Sequence, residues 1–254
     1  MSWEKILLTE IDDFEVKDRS VAAWFLGGVG LAVKTPDTMM YVDPYFGYHE
    51  SVQRMIAVPI EPSLIKRADL VLLTHEHEDH CHEGSLAPIY RNTNATFVGP
   101  QSATGLMMQW GFALDRIKQI QDGSTFSLKD IEIHALEAND PLSKGALMYF
   151  IKTPGGTIFH GGDAWYSPGF AEVGKKWSVD LAFINCGKNP PYTPTPEALT
   201  GITKLYMNPC EFLEAARDLN AKKAIPIHWD IWRHSFLEPT IIQRMAREWM
   251  PDIE

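Results

Sequence analysis

Thr74-His75-Glu76-His77-Glu78-Asp79-His80-Cys81-His82, the stretch THEHEDHCH at residues 74–82, holds four of the chain's nine histidines. It follows directly on ADLVLL (68–73), a short apolar run of the buried-strand kind. In an extended segment residues i and i+2 face the same way, so His75 and His77 offer two imidazoles to one side. Asp79-His80 follows after a turn and gives a second ligand pair, displaced from the first. Such spacing suits two neighbouring cations, each short of ligands until other loops contribute. Imidazole and carboxylate together suit Zn, Fe or Mn better than Mg or Ca. The plainer reading is a solvated loop rich in histidine. The buried strand immediately before the motif argues for the metal.

Working outward, three more apolar stretches end in the same chemistry as LLTHEH (72–77). They are IEIHALEAND (131–140), TIFHGGD (157–163) and AIPIHWD (224–230). Strand ends converge on one edge of a sheet, where loops are free to build a site. Residues 21–42 read as strand, Gly turn, strand, Pro-Asp turn, strand, with GGVG (27–30) as the first turn. That GGVG lacks the helix and the further glycine of a dinucleotide fingerprint. ATFVG (95–99) is a strand, Gln101–Trp110 a helix, and RIKQI with TFSLKDIEIHAL a strand pair. ALMYFIKT and TIFHGGD form a hairpin through Pro154-Gly155-Gly156. VDLAFIN (179–185) and KAIPIH (223–228) are strands, and Glu211–Leu219 and Pro239–Met250 are helices. The proline-rich NPPYTPTPEALTG (189–201) reads as a loop excursion, not a domain boundary. The expected fold is α/β: residues 1–254 as one domain, two sheets covered by helices.

Composition narrows the partners. The 254 residues are 45% hydrophobic and 22% charged, which fits a globular chain with a substantial core. With 33 acidic against 23 basic residues the formal net charge is −10, which argues against a nucleic-acid partner but leaves a local pocket for one small anion open. Cys81, Cys186 and Cys210 are odd in number and widely spaced, so no disulfide framework is expected. The N-terminal residues form no apolar signal region and no run approaches ~18 apolar residues, so we expect a cytoplasmic protein without a membrane partner. A homo-oligomer stays open.

HEHEDH (75–80) resembles the His-x-His-x-Asp-His signature of the metallo-β-lactamase fold, whose members are four-layer αββα sandwiches with a two-metal cleft. The remaining pieces stand in that family's order. The resemblance implies that Asp163 of HGGD bridges both metals, that His228 of IPIHWD completes the second site, and that Asp43 of VDP lies beneath the motif and supports it. From about Ala22 to Trp232 the blocks AAWFLGGVGLAVK, KDIEIHALEAND, FIKTPGGTIFHGGDAWYS and LNAKKAIPIHWDIW are similar to the bacterial L-ascorbate-6-phosphate lactonase branch. Where most members of the fold carry a histidine after the IEIHAL-type strand, this chain has Asp140, as in that branch. The implied sets are His75, His77 and Asp140 for one cation, Asp79, His80 and His228 for the other, and Asp163 across both. A carboxylate in place of an imidazole hardens the first site and favours Mn over Zn.

The implied activity is hydrolysis of L-ascorbate 6-phosphate or a related anionic sugar lactone, with Asp79 or Asp163 moving the proton. Lys188, Arg233 and His234 are candidate contacts for the substrate, and surface roles for them remain open. His160 is divided between bracing the ligands and packing. His134 reads as an ordinary satisfied histidine, and His49 and His82 as rim residues. Trp165 and Tyr166 are expected to line the cleft, and Cys81 has no catalytic partner in sequence. The main alternative is a metal-dependent phosphodiesterase acting on a small phosphodiester. A diiron oxidoreductase of this fold would typically carry Glu where His77 stands. A non-enzymatic metal holder would have lost ligands, yet all seven positions are filled. A β-lactamase role would call for an export signal.

Overall fold

The computed structural model describes residues 3–49, 53–188, 204–251 and 253, so the proline-rich stretch 189–201 lies outside the described residues. Twelve strands form two six-stranded sheets. The first holds β1 (Ala22–Phe25), β2 (Leu31–Lys34), β3 (Met39–Val42), β4 (Leu70–Leu72), β5 (Thr96–Gly99) and β6 (Ile117–Gln119) in that order. The second runs from β7 (Thr125–Leu128) through β8 (Ile131–Glu137), β9 (Leu147–Thr153), β10 (Gly156–His160) and β11 (Leu181–Asn185) to β12 (Lys223–Ile227).

Period-two alternation builds the layers. In β3, Met40 and Val42 face the second sheet while Met39 and Tyr41 face helices; in β9, Leu147, Tyr149 and Ile151 face inward and Met148 and Phe150 outward. The inward residues of both sheets form one shared core. Outside the first sheet, helices Trp3–Asp13, Glu83–Asn92 and Gln101–Gln109 contribute Leu8, Ile11, Leu86, Ile89, Ala103 and Met107 to a second cluster. Outside the other sheet, helices Gly169–Lys176, Pro209–Asp218 and Pro239–Trp249 supply Phe170, Val173, Phe212, Leu213 and Ile242 to a third. Three apolar interfaces make four layers, αββα, as the resemblance implied. Among the described residues no helix is long and apolar enough to cross a membrane.

Two expectations are corrected. RIKQI does not pair with TFSLKDIEIHAL: β6 closes the first sheet beside β5, whereas β7 and β8 open the second. Three helices, Trp3–Asp13, Glu83–Asn92 and Gly169–Lys176, lie where none was expected.

Strand direction positions the site. β3, β4, β5 and β6 run parallel. In the second sheet β8 and β10 are each antiparallel to β9, and β10, β11 and β12 are parallel, so β8, β10 and β12 all point one way. The three stretches of this sheet that end in His or Asp therefore finish on one edge, and Leu147 N, bonded to Thr74 O at 3.0 Å, brings the end of β4 to it.

Candidate metal centre

The centre is founded on Asp43, one residue past β3, fully buried and in the left-handed region at φ 41°. Its Oδ1 accepts from Thr74 N at 2.8 Å, and its Oδ2 accepts from Thr74 Oγ1 at 2.7 Å and lies 3.0 Å from His80 Nδ1. Burial opposes its charge, but His80 and these hydrogen bonds hold the carboxyl below the usual carboxylate range. Thr74 Oγ1 also lies 3.0 Å from His75 Nδ1, so one hydroxyl and one carboxylate orient two imidazoles.

Above it, side chains from both sheets meet in three overlapping groups: His75, His77 and Asp140; His75, His80 and Asp163; and Asp79, His80 and His228. Within each group the candidate ligand atoms lie within 4.8 Å of one another. Asp163 joins a histidine of the first set to one of the second. Its Oδ1 stands 3.3 Å from His80 Nε2 and 3.5 Å from His228 Nε2. Asp79 Oδ2 stands 3.3 Å from His228 Nε2. The histidines His75, His80 and His228 are buried, whereas the Asp79 and Asp163 side chains are 20% and 15% exposed, so these carboxylates form the side open to a substrate.

These residues fit divalent cations. His80 Nε2, Asp140 Oδ2 and Asp163 Oδ1 are buried yet make no hydrogen bond, although buried polar atoms are ordinarily paired. Burial, seconded by the neighbouring charge of His80, pushes His75 down to about 3, which leaves the neutral imidazole a metal requires. Burial and then Asp163 push Asp140 up to about 6. For His80 and His228 burial works the other way, but Asp163 and the other carboxylates around them outweigh it and raise both well above the ordinary value. Asp163, and Asp79 with it, is held well below the carboxylate range by His228 and His80 against the penalty of burial. Such a knot of opposed buried charges is what cations would relieve.

The loops are braced by residues that the sequence did not disclose. Trp232 Nε1 donates to Asp79 Oδ2 at 2.9 Å. Asn185, at the end of β11, donates to the carbonyls of Gly162 and Ala164 on either side of Asp163. It is a polar residue at the end of a buried strand, and that placement is its signal in the sequence. His228 sits at φ 69°, with its N–H bonded to Gly28 O at 2.6 Å, while Gly28 N donates to Asp230 Oδ1 at 2.9 Å. A Cβ on Gly28 (φ +63°) would stand 2.9 Å from Ile231 Cδ1, so the GGVG turn is a seat for the His228 loop.

Other candidates fall around this core. His160 lies 3.0 Å from Val29 O through Nε2, and its Nδ1 accepts from Gly162 N at 3.3 Å, so it braces the turn before Asp163. The Tyr206 ring packs against His228, centroids 4.7 Å apart and tilted by 47°, and its hydroxyl lies 3.4 Å from His234 Nε2. Lys188 N donates to Ser235 O at 2.9 Å, which brings Lys188 beside the Arg233-His234 segment; both cationic side chains are exposed. His134 lies away from the centre, against Glu132 and Trp177. Tyr166 does not line the cleft: its hydroxyl donates to Asp218 Oδ2 and its ring packs in the outer core, because the chain turns into a helix just beyond it. Trp165 donates to Leu205 O and stacks under Lys204.

Residues 38–229 match the model of the beta-lactamase superfamily domain. A probable L-ascorbate-6-phosphate lactonase UlaG of Salmonella heidelberg (strain SL476) is 30% identical over 287 aligned positions, covering 95% of this chain and 78% of that protein. The fold is shared with Igni18, a metallo hydrolase of the hyperthermophilic archaeon Ignicoccus hospitalis, at a TM-score of 0.70 and 18% identity, covering 90% of this chain and 91% of the other. It is also shared with CmlA, a diiron beta-hydroxylase of Streptomyces venezuelae, at a TM-score of 0.70 and 17% identity, covering 90% of this chain and 51% of that one.

Proposed function

The chain belongs to the beta-lactamase superfamily, and from that premise we propose that its activity as a metal-dependent hydrolase opens the ring of an anionic sugar lactone, L-ascorbate 6-phosphate or a close relative. One observation carries the reading. The relative named for that substrate aligns with 95% of this chain, and the aligned span includes the Asp140 carboxylate that stands with His75 and His77.

His75, His77 and Asp140 would hold one divalent cation, Asp79, His80 and His228 a second, and Asp163 would touch both. Each set then pairs two imidazoles with one carboxylate, and Asp140 in the place of an imidazole favours Mn over Zn at the first. Bound there, two cations supply electrophilic polarisation and bring a water's pKa from ~15.7 towards ~7. The protein's own part is positional. Thr74 and Asp43 hold the imidazoles, Trp232 holds Asp79, and Asn185 and His160 hold the Asp163 turn. Water adds across the ester: its oxygen bonds the carbonyl carbon, the ring C–O bond breaks, and the ring oxygen takes up a proton. Asp79 or Asp163, both open to the cleft, would carry that proton from the water to the leaving oxygen. Lys188, Arg233 and His234, on the rim beside His228, would meet the anionic end of the substrate. A cytoplasmic setting is in keeping with such a phosphorylated substrate.

The test is hydrolysis of L-ascorbate 6-phosphate by protein stripped of metal and reloaded with Mn or Zn, with Asp163→Ala as control. Turnover that depends on the metal and is lost in the variant is expected. No turnover by protein that has taken up two equivalents would discard this substrate while leaving the family intact.

A further inference from the structure

Glu76 separates His75 from His77 and belongs to none of the three ligand groups. Its carboxylate nonetheless has a fixed partner: Ser143 Oγ donates to Glu76 Oε2 at 2.7 Å. Ser143 is buried, and it lies three residues past Asp140 in the loop between β8 and β9. The bond therefore links the loop after β4, in one sheet, to the loop that carries Asp140, in the other.

Asp140 needs such a link. Its Oδ1 accepts from Leu142 N at 2.9 Å, a brace internal to its own loop. That bond sets the carboxylate relative to the loop and says nothing about where the loop stands relative to the imidazoles. Oδ2, buried and without a hydrogen bond, is the atom left to complete the group with His75 and His77. Three contacts place the loop itself. Trp165 N donates to Asn139 O at 2.9 Å and Leu147 N to Thr74 O at 3.0 Å, both backbone pairs. The third is Glu76 with Ser143, the side-chain contact among the three. A solvated glutamate would have no reason to meet a buried hydroxyl, and a buried serine could have found a backbone carbonyl as acceptor. The acceptor here is the residue between the two imidazoles, so one bond fixes both halves of a ligand set to each other.

We propose that Glu76 is a positioning residue that, through Ser143, holds the Asp140 carboxylate in register with His75 and His77 and so sets the affinity of that cation site alone. This rests on reading His75, His77 and Asp140 as one of two cation sites. Groups that orient ligands in this way typically govern 10- to 100-fold in metal affinity, about the loss expected here.

The experiment titrates metal-free protein with Mn and with Zn against a competing chelator, for wild type, Ser143→Ala, Glu76→Ala, Glu76→Gln and the Ser143→Ala/Glu76→Ala double variant. Co(II) absorption spectra report ligand geometry, and thermal melting of the metal-free forms reports the fold. Wild type is expected to take two equivalents. Ser143→Ala and Glu76→Ala should each weaken one equivalent by about 10- to 100-fold, leave the other unchanged, and alter part of the Co(II) spectrum. The double variant should be no weaker than Glu76→Ala, because Ser143→Ala removes a bond that Glu76→Ala has already removed. Glu76→Gln keeps an oxygen that accepts from Ser143 and should stay within about twofold of wild type. Unchanged affinities in Ser143→Ala, equal weakening of both equivalents, or a Glu76→Gln variant as weak as Glu76→Ala would each overturn the proposal. Wild type binding fewer than two equivalents would defeat the two-cation reading and this inference with it.

Discussion

At the scale of single residues, Asp43 illustrates how a carboxylate can organise ligands without being one. It is fully buried and serves Thr74 N, Thr74 Oγ1 and His80 Nδ1 at once. Asp43→Ala would leave those groups facing a cavity, which should cost about 3–5 kcal/mol of folding stability. Urea midpoints read that loss, and a variant within 1 kcal/mol of wild type, on the order of the scatter for surface changes, would show that Asp43 is dispensable. Trp232 allows a finer test. Trp232→Phe keeps an aromatic ring beside Tyr45, gives up part of the indole's volume and removes the donor to Asp79, so kcat should fall about tenfold at saturating metal, the equivalent of one hydrogen bond to a charged group. An unchanged kcat would separate Asp79's orientation from the chemistry. The histidines, Asp79, Asp140, Asp163 and Asp43 were legible because the motif and its family order sit in plain sequence. Thr74, Asn185 and Trp232 were not, because a threonine, an asparagine or a tryptophan near a strand end looks the same whether or not it holds a ligand. Nor does any local signal foretell φ 69° at His228; that conformation answers to the Gly28 carbonyl, two hundred positions away in the chain.

At the scale of elements, the two sheets are tied at both ends, by different means. The metal edge has the ligand loops. At the far end the β7–β8 turn of one sheet grips the β2–β3 turn of the other: Asp130 accepts from Thr35 Oγ1 at 2.8 Å, Thr38 Oγ1 at 2.5 Å and Asp37 N at 3.3 Å, and Lys129 pairs with Asp69 at 2.6 Å. Burial would raise the Asp130 carboxyl, yet the Thr38 and Thr35 hydroxyls outweigh it and hold it below its ordinary value. A carboxyl lowered on folding stabilises the native state above the unfolded pKa, near 4, and that contribution fades as pH drops through the folded value. Asp130→Ala should therefore cost about 1–2 kcal/mol at pH 7 and progressively less towards pH 3, with metal affinity untouched. A stability gap between variant and wild type that did not change with pH would mean that the charged form of Asp130 contributes nothing. The segment between β6 and β7 accounts for the difference from the expected pairing. Alternation in RIKQI and TFSLKDIEIHAL announces strands but carries no label for the sheet each joins, and the chain crosses from one sheet to the other between them. The missed helices have similar causes: Glu83–Asn92 carries Pro88 in its interior, and Gly169–Lys176 opens on a glycine after a proline, features that mark breaks in isolation and are overridden by packing.

At the scale of the whole molecule, the edge where the sheets meet concentrates charge that the fold alone does not balance. Asp43, Asp79, Asp140 and Asp163 converge on it in a chain already carrying a formal net charge of −10, and two of their oxygens, Asp140 Oδ2 and Asp163 Oδ1, find no hydrogen bond. Folding without cations must bury these groups with His80 and His228 to offset them, and the loops that bear them come from both sheets. Cations bound only by the folded form should thus stabilise the entire sandwich and not merely the loops. At metal concentrations a hundredfold above Kd the gain is about 2.7 kcal/mol per site. For a chain of this size each kilocalorie shifts Tm by roughly 2–4 °C, so one site should contribute roughly 5–10 °C. Chelation followed by calorimetry, with readdition of Mn or Zn, measures it directly. Asp163→Ala sharpens the comparison: it removes the carboxylate that His80 and His228 face, so the variant without metal should melt below metal-free wild type and should also lose most of the rise on readdition. If wild type and variant rose equally with metal, Asp163 would not be a ligand and the shared-carboxylate arrangement would fall. If neither rose, the charges at this edge would be balanced by protons instead, and the stability of both proteins would climb as pH was lowered through about 6, where folded Asp140 takes one up, towards about 4, where the unfolded carboxyl does so too.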